Sequence, residues 1–205
     1  IMIEIRNIFK SFGKNVVLHD ISAKFERGKT NLIIGQSGSG KTVLLKCLLG
    51  LYSFDQGELI YDNVYSSKMN DEEKMNIKKE MGMVFQGSAL FDSLSVLENV
   101  RFPLDMLTNY SEKKKDEIAL KFIERVNLND AINKLPSEIS GGMQKRVGIA
   151  RAIVLNPKYL FCDEPNSGLD PKTAIVIDNL IQEITKEYNI TTVSYTHLRA
   201  HETIQ

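Results

Sequence analysis

Gly35-Gln36-Ser37-Gly38-Ser39-Gly40-Lys41-Thr42 is the stretch of the sequence that decides the fold. A β-rich run over residues 30–34 precedes it, and an apolar segment of helical character over residues 43–49 follows it and ends at Gly50. Glycines allow successive backbone N–H groups to turn toward one anion, and the first turn of a helix adds the positive end of its dipole. The order of strand, glycine loop and helix therefore predicts a phosphate-binding loop.

Two side chains of this loop carry chemistry of their own. Lys41 supplies a mobile positive charge to the terminal phosphates, and the Thr42 hydroxyl is placed to bind Mg²⁺. The alternative is a glycine-rich connection without a ligand, and the strand and helix on either side argue against it. The predicted nucleotide-binding set of this loop is Gly35, Gln36, Ser37, Gly38, Ser39, Gly40, Lys41, Thr42 and Val43.

An acidic pair, Asp163 and Glu164, closes a second apolar run at residues 159–162. This run is typical of a buried parallel strand, and an aspartate at such a strand end is the expected Mg²⁺ partner in nucleotide enzymes. Consecutive strand residues point to opposite faces, so Glu164 can polarise an attacking water while Asp163 serves the metal. By itself the pair favours a solvated turn, but together with the phosphate loop it favours the catalytic interpretation.

Ser140, Gly141 and Gly142 directly precede a segment with the pattern of a long helix. Ser140 is a good N-cap residue, and the amides at a helix start can also form a second anion site. Both interpretations can hold at once. A second anion site facing the opposite side of a nucleotide would require a second copy of the chain.

Composition narrows the class of protein. The 205 residues include 26 basic and 26 acidic side chains, so the formal net charge is zero, which argues against a nucleic-acid partner. Cys47 and Cys162 lie in apolar stretches and are interpreted as buried thiols of a reducing compartment. No apolar run approaches the ~20 residues of a membrane span, and residues 1–10 lack the pattern of a signal peptide. We therefore expect a cytosolic protein that reaches a membrane only through a partner.

Strands alternate with helices along the chain, and this alternation implies a parallel α/β core. Short strands are expected at the N-terminus, followed by a charged connector over residues 68–80. Helices are expected over residues 111–126 and 141–155, and a mostly helical stretch over residues 88–155 is inserted into the core. Asp170 and Pro171 have the pattern of an N-cap followed by a helix start.

With these motifs in place, the sequence resembles the nucleotide-binding subunit of an ATP-binding cassette (ABC) transporter. The resemblance covers the chain up to about Thr192. It assigns Phe12 to adenine stacking and Gln86 to sensing Mg²⁺, and it identifies residues 139–143 as the family signature, with Met143 in place of the usual glutamine. It further assigns residues 167–170, which end at Asp170, to the dimer interface and His197 to the role of a switch.

Further stretches resemble the phospholipid transport ATPases of the Mla/MCE type. They are residues 86–95, Glu98-Asn99-Val100, Pro103-Leu104, residues 140–147 and residues 164–171. The resemblance implies an ATPase that uses ATP and Mg²⁺, with Glu164, Lys41 and His197 as catalytic residues and Thr42, Gln86 and Asp163 at the metal. It also implies a head-to-tail homodimer in which Ser140, Gly141 and Gly142 face the nucleotide of the other copy.

The same resemblance predicts a P-loop NTPase (RecA-like) fold made of one domain over residues 1–205. Residues 1–87 and 156–205 form the nucleotide-binding core with an N-terminal antiparallel β subdomain, and residues 88–155 form the helical signature subdomain. The expected partners are membrane permease subunits and an MCE-domain lipid-binding protein, with the ATPase on the cytoplasmic face of the inner membrane. Three alternatives are an ABC transporter ATPase for another cargo, a soluble ABC ATPase and a non-hydrolysing nucleotide-binding scaffold.

The C-terminal tail departs from the family. Leu198 follows His197 where the family has an aspartate, and the residues up to Gln205 lack the apolar content of further strands. Residues 193–203 resemble one reading frame of a transposase adapter used in preparing sequencing libraries. We therefore expect a truncated cassette whose residues from about Val193 onward are not native, so that His197 is a weaker candidate than Glu164 or Lys41 and His201 has no function. The alternative is a natural short cassette with an unusual polar tail, in which His197 keeps the role of the switch.

Overall fold

The computed structural model describes residues 2–36 and 38–197. Within these ranges the strands are β1 (Ile3–Phe12), β2 (Asn15–Phe25), β3 (Thr30–Gly35), β4 (Gln56–Tyr61), β5 (Val64–Tyr65), β6 (Met81–Val84), β7 (Tyr159–Asp163) and β8 (Thr191–His197). The helices are α1 (Lys41–Leu48), α2 (Asp71–Lys79), α3 (Val96–Leu107), α4 (Glu112–Arg125), α5 (Gly141–Ile153) and α6 (Pro171–Glu187).

A parallel sheet with the order β3-β8-β7-β6 forms the centre of the molecule. Strand β7 is buried on both faces: Tyr159 and Phe161 pack into one hydrophobic cluster, and Leu160 and Cys162 into the other. This alternation follows from the two-residue period of a strand covered on both sides. The prediction of a parallel α/β core is confirmed.

An antiparallel sheet with the order β2-β1-β4-β5 packs its apolar face onto α1 and the central sheet. The expectation of short N-terminal strands is wrong, because β1 and β2 have 10 and 11 residues. Their pairing shifts register between Ile5 and Ile8 and again before Ser11. Such irregularities interrupt the alternation of apolar residues, and for that reason one long strand has the sequence pattern of several short ones.

The expected charged connector also differs from the structure, since most of it is helix α2. The helix buries none of its residues, so it has no apolar stripe to find. Asn70 accepts a hydrogen bond from the Glu73 amide, and the Glu73 carboxylate accepts from the Asn70 amide. This capping box, with acidic residues in the first turn and lysines in the last, stabilises the helix locally.

Helices α3, α4 and α5 pack together around buried residues such as Val100, Phe122 and Ile149, and this cluster continues onto α6. Ser95 and Ser111 cap α3 and α4. The expected helices are therefore present, while the division of the chain at residues 88 and 155 stays a prediction. None of the helices in the described ranges has the length and apolar content to cross a bilayer.

Strand β3 lies at one edge of the parallel sheet, with β8 as its strand neighbour among the described residues. Leu32 and Ile34 on this strand are 52% and 47% exposed. The predicted roles of Ser37, of the His197 side chain and of the tail from Leu198 onward, including His201, fall outside the part of the chain that the structure describes.

Candidate nucleotide site

The phosphate loop connects the end of β3 to the start of α1, as the sequence predicts. Gly38 and Gly40 have φ angles of 78° and 89°, in the left-handed region that favours glycine. A Cβ atom on Gly40 would also lie 2.9 Å from the Val17 carbonyl oxygen. Gly40 is therefore required both by its own backbone conformation and by the approach of β2.

Lys41 is buried within the loop that it follows, with 6% of its surface exposed. Its Nζ donates hydrogen bonds to the carbonyl oxygens of Gly35 and Gln36, both at 2.7 Å. The ammonium group thus contacts the backbone of the loop that the sequence predicts to bind phosphate. Val43 follows in the first turn of α1 and packs against the hydrophobic core behind the loop.

Thr42 and Asp163 converge on one point, although they lie far apart in sequence. The Tyr195 hydroxyl on β8 donates to Asp163 Oδ1 and lies 3.4 Å from Thr42 Oγ1. Burial, together with this bond, raises the pKa of the Tyr195 hydroxyl. A hydroxyl and a carboxylate oxygen are donors that Mg²⁺ prefers, so the donor set fits this ion, provided that Tyr195 gives up its bond to Asp163.

Glu164 lies beyond the end of β7 in a left-handed conformation, with a φ angle of 43°. This conformation is unusual for a residue with a side chain and is often found at functional sites. Gln86 Nε2 donates to Glu164 Oε2 at 3.0 Å and to Ser167 Oγ at 3.3 Å. The Gln86 side chain therefore connects the candidate base to the segment of residues 167–170, while Asp163 contacts a different partner, Tyr195.

Lys145 is a buried cation that contacts Gln86, and sequence analysis did not predict its place in the site. Lys145 on α5 is 5% exposed, and its Nζ donates to the carbonyl oxygen of Gln86. Burial lowers the pKa of the Lys145 ammonium, and the negative charges of Asp163 and Glu164 oppose that shift. Nothing in the local sequence distinguishes Lys145 from the adjacent Arg146, because its contact is with a residue far away in the chain.

Phe12 ends β1 and is 46% exposed, as a stacking residue must be and a core residue is not. Its ring meets the edge of Tyr52 at a centroid distance of 5.6 Å, and Lys10 Nζ lies 5.2 Å from its centroid. Tyr52 is a second aromatic at this position that sequence analysis also missed. One signal in the sequence could have indicated it, since Tyr52 follows closely after the helix that starts from the phosphate loop.

The start of α5 lies against the start of α6. Ser140 accepts a hydrogen bond from the Met143 amide, so it is an N-cap. A Cβ atom on Gly142 would lie 2.7 Å from Thr173 Cγ2, while one on Gly141 would meet Leu169 at 3.9 Å. Gly142 thus permits the close approach of the two helix ends.

Asp170 caps α6, as the sequence predicts. It accepts hydrogen bonds from the Lys172 and Thr173 amides and from the Thr173 hydroxyl, and these bonds lower the pKa of the Asp170 carboxyl. The backbone of His197 pairs with Gly35 in the parallel sheet. The predicted roles of Asp170 and Ser140 across a dimer interface, like that of the His197 side chain, stay predictions.

A parallel sheet whose strand ends carry this loop and this acidic pair defines a nucleotide-binding protein of the P-loop class. A family model described as ABC transporter matches residues 18–167. The chain belongs to the ABC transporter family, as its ATP-binding domain.

Curated relatives match nearly the whole chain. The methionine import ATP-binding protein MetN of Clostridioides difficile is 38% identical over 196 residues, and the match covers 96% of this chain and 61% of that protein. The intermembrane phospholipid transport system ATP-binding protein MlaF of Haemophilus influenzae is 37% identical over 196 residues, covering 96% and 74%. The probable ribonucleotide transport ATP-binding protein mkl of Mycobacterium leprae is 36% identical over 197 residues, covering 96% and 57%.

Solved structures agree with this family. The dimeric structure of MJ0796, a bacterial ABC transporter cassette, superposes with a TM-score of 0.82 at 32% identity, covering 96% of this chain and 88% of that one. A post-hydrolysis state of the MJ0796 cassette bound to ADP and Pi gives a TM-score of 0.81 at 31% identity, with the same coverage. The prediction of a P-loop NTPase fold of the ABC type is confirmed.

Proposed function

We propose that this chain binds and hydrolyses ATP to drive transport across a membrane. The observation that carries the proposal is the convergence of Thr42 and Asp163 on Tyr195 at the carboxyl ends of β3 and β7, with Lys41 next to Thr42 and Glu164 next to Asp163 in the chain. Ligands of parallel α/β sheets bind at this edge. Lys41 supports the terminal phosphates, and the loop amides enclose them.

Glu164 is the proposed general base. The hydrogen bond from Gln86 fixes its carboxylate, and a water held by that carboxylate can attack the terminal phosphate. Mg²⁺, when bound through Thr42 and Asp163, would neutralise charge on the phosphate oxygens. Lys41 and the start of α1 stabilise the same charge, which is the largest contribution to catalysis in reactions of this kind.

Replacing Glu164 by glutamine tests this assignment. The amide keeps the size of the side chain and one hydrogen-bond acceptor but cannot take a proton, so phosphate release should fall at least ~100-fold. Binding of a fluorescent ATP analogue should be retained. The matched control is Glu117→Gln on the exposed face of α4, which should behave like the unaltered chain. Turnover near the normal rate in Glu164→Gln contradicts the assignment, and an unaltered chain that binds but never hydrolyses ATP indicates a non-hydrolysing scaffold.

We infer that two copies act together, head to tail. In each chain the start of α5 presents Ser140 and two glycine amides beside the segment of residues 167–170. An anion site of this kind complements the phosphate loop of a second copy. The dimeric form of the MJ0796 cassette supports the same arrangement.

A permease is the second proposed partner. A groove between the central sheet and α3 is lined by Phe85, Phe91, Phe102 and Leu107, together with the basic residues Lys78, Lys79 and Arg151. Phe85, Phe91 and Leu107 are exposed, and exposed apolar residues grouped beside polar ones are typical of an interaction site. A short amphipathic helix of a permease fits such a groove. Association with the cytoplasmic face of the inner membrane would follow from this contact.

Phospholipid is the proposed cargo. Some of the residues that resemble the Mla/MCE-type ATPases lie in and around the groove, and others lie at the starts of α5 and α6, which we propose to face the second copy. The relative named for intermembrane phospholipid transport supports the same cargo, and an MCE-domain protein would then be a further partner. Methionine is the alternative, because the MetN relative is equally similar.

Stimulation of ATPase activity distinguishes phospholipid from methionine as the cargo. The chain is expressed together with the permease encoded beside it, and the ATPase rate of the complex is measured with phospholipid vesicles and with L-methionine. Stimulation by vesicles alone supports the phospholipid proposal. Stimulation by methionine alone, or a neighbouring operon without an MCE-domain gene, contradicts it.

A further inference from the structure

One face of helix α5 carries the loop that contains Gln86. Lys145, Gly148 and Arg151 are spaced three residues apart, so they lie along one side of the helix. Lys145 Nζ donates to the Gln86 carbonyl, and Arg151 donates to the carbonyls of Ser88 and Ala89 at 2.7 and 2.8 Å. Between them, a Cβ atom on Gly148 would lie 3.5 Å from the Ser88 carbonyl oxygen, so the loop and helix are in close contact.

The loop needs this support because its backbone is strained. Ser88 and Ala89 have φ angles of 61° and 47°, so two consecutive residues with side chains are left-handed. Such a conformation is unfavourable for a residue with a side chain, and it persists only where surrounding contacts determine it. The hydrogen bonds from α5 to this loop provide such contacts.

The hydrogen bond from Lys145 to this loop requires a buried charge. A buried ammonium group costs folding free energy that an apolar side chain of similar length would not. The hydrogen bond of this group holds the Gln86 backbone, and the negative charges of Asp163 and Glu164 favour its charged form. The Gln86 side chain in turn donates to Glu164. Because burying the Lys145 ammonium group lowers stability, its presence here indicates a role in the nucleotide site.

We propose that Lys145 is a positioning residue, which acts through the Gln86 carbonyl to hold the Gln86 side chain against Glu164. The same bond fixes the loop to α5, the helix that begins at Gly141. The inference rests on the proposed ATPase function and names a residue that this function does not otherwise use.

The kinetic test compares Lys145→Met with Lys145→Arg and with Arg146→Met. Arg146 is the matched control, because it is the next residue of α5 and also donates to backbone carbonyls, those of Val126 and Asn127. In Lys145→Met, kcat should fall about tenfold, as for other residues that orient a catalytic group, while KM for ATP changes less than about twofold. Lys145→Arg should recover most of the rate, and Arg146→Met should keep it.

A double substitution separates positioning from a general structural effect. If Lys145 acts through Gln86, Lys145→Met should add little to the loss caused by Gln86→Ala. The melting temperature of Lys145→Met should change little, because removal of a buried charge offsets the loss of the hydrogen bond to the Gln86 carbonyl. Fully multiplicative losses, or a loss that follows the melting temperature, overturn the proposal.

Hydrogen exchange gives a readout that does not depend on ATP hydrolysis. The Ser88 amide donates to the Phe85 carbonyl within the loop. In Lys145→Met without nucleotide, this amide should exchange at least ~10-fold faster, whereas Arg146→Met leaves it unchanged. Lys145→Gln serves as a second variant if the methionine does not fold. Unchanged exchange overturns the proposal, and a chain without ATPase activity refutes the proposed function while exchange still decides this inference.

Discussion

The Tyr195 hydroxyl lies between the two oxygens proposed to bind magnesium, donating to Asp163 Oδ1 and lying 3.4 Å from Thr42 Oγ1. A metal ion and a hydroxyl proton compete for the same carboxylate oxygen. Tyr195 also falls in the segment that sequence analysis expects to be foreign to the native chain. Substituting Tyr195 therefore tests whether the residue at this position weakens the binding of Mg²⁺.

Replacing Tyr195 by phenylalanine should strengthen the apparent affinity for Mg²⁺. The hydrogen bond lost is worth about 1 kcal/mol, which corresponds to roughly fivefold in affinity. The measurement is ATPase rate against Mg²⁺ concentration at saturating ATP. Tyr188→Phe, which removes a hydroxyl from the end of α6, is the control. An unchanged Mg²⁺ dependence in Tyr195→Phe would show that the hydroxyl does not compete with the ion.

Among the side chains of the site, those in local motifs could be predicted and those defined by distant contacts could not. Lys41 and Thr42 follow the glycine loop directly, and Asp163 and Glu164 follow an apolar strand, so each has its context beside it in the sequence. Lys145 and Tyr195 reach the site only because α5 and β8 fold back beside β7. No period or spacing indicates such a contact.

Among the helices and strands, burial decided which could be predicted. Helix α6 has an apolar stripe and a proline at its first residue, and its start was predicted at Asp170. Helix α2 buries nothing and is stabilised by its caps, so its composition suggested a connector. Strands β1 and β2 were shortened in prediction by the register shifts between them. Periodicity therefore predicts the elements that bury one regular face. It does not predict helix α2 or the full length of β1 and β2.

The turn before α3 depends on one buried side chain, Asn99, which is 0% exposed. Its Oδ1 accepts from the Phe91 amide at 2.9 Å, and its Nδ2 donates to the carbonyls of Phe91, Leu94 and Ser95. Asn99 thus uses both ends of its amide to close the turn. Phe91 lines the groove, so Asn99 holds one wall of the proposed permease site through its hydrogen bonds to Phe91.

Asn99→Ala should therefore destabilise the chain and disturb the groove together. Several backbone groups lose their partner in a buried place, and the expected loss is about 2–4 kcal/mol in the free energy of unfolding. Denaturant titration measures this loss. Asn133→Ala, in the connection between α4 and α5, is a control expected to stay within about 0.5 kcal/mol. A loss for Asn99→Ala as small as that of the control would show that the turn is held by other contacts.

For the assembled protein, the sharpest prediction concerns complementation between two inactive variants. Lys41→Ala damages the phosphate loop, and Ser140→Arg damages the helix start that should face the other copy. In a mixed head-to-tail dimer both lesions fall in one composite site, and the other site is intact. Equal mixing should then restore about a quarter of the normal ATPase rate if the sites work independently.

Each variant alone should be inactive in the same phosphate-release assay, and mixed dimers should first be demonstrated by differential tags. Mixed dimers no more active than the separate variants would contradict the head-to-tail arrangement. A rate equal to that of the unaltered chain would contradict it as well, because at most half of the dimers are mixed.

Strand β3 is paired on one side only among residues 2–36 and 38–197, and this edge has a consequence for how the purified protein behaves in solution. Its exposed Leu32 and Ile34 stand beside backbone groups that can pair with a strand of another molecule, and such edges are starting points for aggregation. The same strand ends at Gly35, the first residue of the phosphate loop. A nucleotide bound by the loop favours the native placement of β3 by mass action. ATP should then be a solubilising additive as well as the proposed substrate, and a sample stripped of nucleotide should be the one most prone to precipitate.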